Sequence, residues 1–92
     1  MNDALTENQL WEALDGLHAY DVGSTDSGIH DEALRAAVIA QMKGMDDTAR
    51  RFFLARRIRE HFLSERALEQ GYGLEDAARF WIWLDETMGC AA

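Results

Sequence analysis

Three histidines, seventeen carboxylates and a single cysteine are the side chains through which this chain could hold a metal or run acid–base chemistry. A metal site draws ligands that converge from paired positions at helical or hairpin spacing. His18, His30 and His61 lie on three separate segments and make no such pair. The window from Asp21 to Glu32 has the length of a calcium loop with an acid at each end, but Gly23 and Thr25 stand at its third and fifth ligand positions. Asp26 occupies the place where the loop's sharp turn needs glycine, so calcium is not expected. Tyr20, Ser24, Thr25, Ser27 and His30 gather hydroxyl and imidazole groups in one stretch, yet no nucleophile-elbow pattern surrounds them and turn chemistry accounts for them. Cys90 sits among small residues with no basic neighbour to lower its pKa, which predicts an inert thiol. Neither GxGxxG nor GxxxxGK[ST] occurs. The residue inventory therefore predicts no catalytic centre, no metal and no cofactor.

The elements that would position these groups are helices. Advancing about 100° per residue gathers the apolar side chains of four segments on one side each. Thr6-Glu7-Asn8-Gln9 fits a capping box, and Leu10, Trp11, Leu14 and Leu17 follow as a stripe with His18 at its edge and Glu12 and Asp15 facing away. That helix is expected to end near Ala19, before a long turn-rich loop over Tyr20–His30. A second helix starts after His30 or Asp31, carries Leu34, Ala37, Val38, Met42 and Met45, and stops at Gly44. Asp46 or Asp47 caps a third that runs to about Leu63, with Phe52, Ala55, Ile58 and Phe62 as its predicted buried stripe. Ser64 caps a short helix ending at Gly71, and Gly73 precedes the last, whose predicted stripe is Leu74, Ala77, Ala78, Trp81, Leu84 and Met88. No stretch alternates in the manner of a strand. The expected fold is all-α: a compact bundle of four main helices plus one short helix, without a sheet, in one domain spanning residues 1–92.

Charge is segregated along the chain. Residues 1–34 hold eight acids and no Lys or Arg; residues 35–66 hold eight bases against four acids; residues 67–92 hold five acids and Arg79. The total of −8 repels nucleic acid and anionic lipid and favours a basic partner. Arg50, Arg51, Arg56, Arg57 and Arg59 scatter around their helix instead of forming one groove-facing stripe, so pairing with the acidic first helix and loop is expected of them. Ser64–Trp83 could be drawn as a helix-turn-helix, but Glu75 and Asp76 open its second helix and repel phosphate. The apolar runs Ala36–Ala40 and Phe80–Leu84 are far shorter than the roughly 20 residues of a spanning helix. The acidic N-terminal stretch does not read as an export signal, and one cysteine suits a reducing compartment, so a cytoplasmic location is expected.

Two candidate surfaces follow. The first is an acidic face built from Glu7, Glu12, Asp15, Asp21 and Asp26, which would engage a protein with a basic surface, plausibly by occupying a groove meant for nucleic acid. In size and charge alone the chain resembles the small acidic inhibitors carried by phages and other mobile elements, anti-CRISPR proteins among them; no motif ties it to such a family. The second is hydrophobic: Phe53, Ile82 and Trp83 project away from the predicted stripes of their helices and would form an interface. That surface supports an alternative reading as a homodimeric structural or accessory subunit. No direct nucleic-acid or membrane contact is expected.

Overall fold

The computed structural model describes residues 4–23 and 28–89, and among them there are five helices and no strand. By its internal contacts the chain divides into two compact units, Met1–Gly44 and Met45–Ala92.

The first unit is built on α1 (Glu7–Asp21) and α2 (Glu32–Gly44). The capping box forms as expected: Gln9 N–H donates to Thr6 Oγ1 at 3.1 Å, and Thr6 N–H donates to Gln9 Oε1 at 3.0 Å. Two of the amides left over at the helix start are thereby satisfied. Leu10, Trp11, Ala13, Leu14, Gly16 and Leu17 are buried, and the helix continues two residues beyond Ala19. On α2, Asp31 Oδ1 accepts from Leu34 N–H at 3.0 Å, and Val38 and Met42 are buried. Leu34 and Met45 of the expected stripe are half-buried, while Ala37 is exposed. Two connections hold the flanking chain to these helices. Leu5 exchanges backbone hydrogen bonds with the Gln41 amide at 2.9 and 2.8 Å. Ile29 N–H donates to Gly16 O at 2.9 Å, and its side chain lies in the space a Cβ on Gly16 would need. Gly16 is thus a helical glycine retained for close approach, since a helix interior otherwise disfavours it by about 1 kcal/mol.

The second unit holds α3 (Asp47–Phe62), α4 (Glu65–Glu69) and α5 (Leu74–Met88). Asp46 Oδ2 accepts from Thr48 and Ala49 N–H at 3.1 and 3.2 Å, Ser64 Oγ accepts from Ala67 N–H at 3.1 Å, and Asp76 Oδ2 accepts from Gly73 N–H at 2.8 Å. α3 and α4 therefore start where a short polar side chain takes up their first amides, and α5 starts with Asp76 reaching back to the amide of its cap residue Gly73. Gly89 ends α5 in the left-handed region at φ 66°, which costs glycine nothing.

The buried faces of α3 and α5 differ from the expected stripes. On α3 the buried residues are Arg50, Phe53, Leu54, Ile58 and Phe62, whereas Phe52 is 74% exposed and Ala55 is also exposed. On α5 they are Phe80, Trp83 and Leu84, whereas Leu74 is 77% exposed and Ala78 is exposed. On α5 the buried side is the one whose rings continue an aromatic chain from α3. Tyr72, Phe62, Phe80 and Trp83 follow one another with ring centroids 5.6, 5.5 and 5.4 Å apart. Tilted and edge-on ring contacts at this spacing are favourable beyond the area they bury. On α5 these contacts accompany the burial of Phe80 and Trp83, while Trp81 is half-buried.

Candidate functional site

α1 places the predicted acidic residues in different settings. Glu12 is exposed on the side away from Leu10, Leu14 and Leu17; Glu7 is exposed in the first turn; Asp15 is half-buried. Asp21, the last residue of α1, is bound by Arg35 of α2: its two carboxylate oxygens accept from Arg35 Nη2 at 2.8 Å and Nη1 at 3.1 Å. Arg35 Nε also lies 4.0 Å from Glu32. The hydrogen bonds that Arg35 donates to Asp21 hold the guanidinium above its usual pKa, against an opposing effect of burial. A fork-to-fork contact of this kind ties the last turn of α1 to α2 through the exposed Asp21 carboxylate. Asp26 lies outside the described residues, as do Ser24, Thr25, Ser27 and Cys90.

The histidines are dispersed. His30 stacks on Tyr20 with centroids 4.4 Å apart and planes 9° from parallel, and its Nε2 is 3.9 Å from Glu32. His61 packs edge-on against Phe62 at 4.6 Å, beside a cleft of about 260 Å³ that Ser64, Arg66, Gln70 and Tyr72 also line. The Ser64 hydroxyl in that cleft is already engaged by the start of α4. Among the described residues no group of three His, Cys, Asp or Glu side chains converges in a way that could hold a metal ion. His18 is half-buried on α1.

The predicted hydrophobic interface needs correction. Phe53 is 2% and Trp83 8% exposed, so both belong to the buried interior. Ile82 is 55% exposed. It joins Leu74, Ala77, Ala78 and Trp81 of α5 and Ile58 of α3 around an apolar groove of about 420 Å³. Phe52, which the periodicity had placed inside, stands on the surface of α3 with Thr48, Arg51 and Ala55. The available apolar surface therefore combines Ile82, expected at an interface, with Phe52, Leu74 and Ala78, which the expected stripes assign to the core. A composition signal did exist: α5 carries Phe80-Trp81-Ile82-Trp83-Leu84, five consecutive apolar residues that reach every side of a helix.

Arginine pairing is local where the second unit shows it. Arg50 is buried with its Nη2 2.5 Å from Asp47, Arg51 reaches the same carboxylate at 3.8 Å, and Arg79 lies 3.4 Å from Glu75 and 3.6 Å from Asp76. No described helix is long and apolar enough to cross a membrane. Comparison of the chain with protein-family models, with curated proteins and with solved structures finds no match.

Proposed function

We propose that this chain is a non-enzymatic protein-binding domain of the cytoplasm whose first unit engages a basic protein surface. The single observation behind this reading is the exposure of Glu12 and Glu7 on α1, in a unit carrying eight acids against Arg35 and Lys43, a net of −6. A surface of that sign draws a basic partner by long-range attraction and competes with phosphate for the partner's cationic groove. Glu12 is the central contact, Glu7 and Asp15 flank it, and Asp21 supports α1 through Arg35 without meeting the partner.

The test is affinity capture from a nuclease-treated lysate of the source organism, using the native chain and the Glu7→Lys/Glu12→Lys variant. The native chain is expected to retain a basic protein that is released by raised salt and by added duplex DNA, and the variant is expected to retain none. Equal retention by the variant, or release indifferent to both salt and DNA, overturns the proposal.

A further inference from the structure

The second unit carries an exposed aromatic knob and an exposed apolar groove whose surroundings differ in charge. The groove lies along α5, where Ala77 and Ala78 form a recess between the bulkier Leu74, Trp81 and Ile82. Exposed acids adjoin it: Glu75 near its start, and Asp85 and Glu86 one turn beyond Trp81 and Ile82. The one base on α5, Arg79, is already held by Glu75 and Asp76. The knob is Phe52 on α3, which is 74% exposed. Arg51 sits beside it and Arg59 two turns further along the same side, both exposed. Leaving a phenyl ring and an aliphatic groove in water forgoes burial that a partner would supply, and aromatic and arginine side chains are the groups favoured at interface centres.

We infer that a second copy of this chain covers the groove, with Phe52 of one protomer seated among Leu74, Ala78 and Ile82 of the other. Charge selects this pairing over its rivals. Knob into groove brings Arg59, two turns from Phe52, towards Asp85 and Glu86 beyond Ile82, whereas α5 against α5 sets those acids on each other and α3 against α3 sets Arg59 on Arg59. Reciprocal seating closes a two-fold pair, and one-way seating continues from copy to copy.

Sedimentation of the full chain over a concentration series tests the inference, with Phe52→Asp as the knob variant and Ile82→Asp as the groove variant. Both positions are exposed, so both variants are expected to keep the circular dichroism of the native chain. The native chain is expected to associate, more weakly in high salt, and each variant alone to associate roughly tenfold or more weakly. An equimolar mixture of the two retains one intact knob and one intact groove and is expected to associate more strongly than either component. A native chain that stays monomeric to about 1 mM overturns the inference. So do variants that associate as the native chain does, or a mixture no stronger than its parts.

Discussion

Phe52 and Phe53 are chemically identical neighbours, and the structure assigns them opposite environments: 74% against 2% exposed. Truncating Phe53 to alanine removes a ring from the interior and leaves a cavity lined by residues that relax only partly, at a cost of about 3–5 kcal/mol. A chain of this length has roughly 5–14 kcal/mol of stability in total, at about 0.05–0.15 kcal/mol per residue, so the loss is a large share. With an m value of about 1.5 kcal/mol/M, the urea midpoint of Phe53→Ala falls by about 2–3 M. Phe52→Ala removes a ring that is mostly in water and stays within about 0.5 kcal/mol of the native chain, a midpoint change below about 0.5 M. The assay is urea unfolding followed by helical circular dichroism at two protein concentrations, so that any contribution of self-association is read separately. Equal midpoint shifts, or a larger one for Phe52→Ala, would refute the assignment of the inner face of α3.

Gly16→Ala sets two effects against each other: helix propensity improves by about 1 kcal/mol, while the new methyl meets the Ile29 side chain and costs about 1–3 kcal/mol of overpacking. Net destabilisation is expected in the native background and net stabilisation when Ile29→Ala is already present, and the same sign in both backgrounds in thermal melts would count against the close approach. Asp21→Asn is expected to lower stability by about 1 kcal/mol at low ionic strength, with the difference shrinking as salt is added. It is also expected to leave capture of the basic partner unchanged, because Arg35 already occupies that carboxylate; a loss of capture as large as that of the Glu7→Lys/Glu12→Lys variant would place Asp21 in the contact surface.

Helix boundaries and helix class were legible in the sequence because they depend on neighbours three and four residues away. Thr6, Asp46 and Ser64 each cap the helix predicted for them, and Gly44 and Gly89 stand at the ends of theirs, since a cap needs only its own turn of backbone. The inner face of α1 was legible for the same reason: Leu10, Trp11, Leu14 and Leu17 cluster on one side, with Glu12 and Asp15 facing away. The inner faces of α3 and α5 were not, because Phe52-Phe53 and Phe80-Trp81-Ile82-Trp83-Leu84 put large apolar groups on several sides at once. Periodicity cannot choose among equivalent stripes; on α5 the ring contacts of Phe80 with Phe62 and Trp83 mark the side that is buried. The Asp21–Arg35 clamp and the Tyr20–His30 stack likewise join residues 14 and 10 positions apart, farther than any rule of helix spacing reaches. Local hydrogen bonding was therefore enough to write the helices, while the assignment of each side chain to core, clamp or surface waited on contacts that exist only once the chain has folded back on itself.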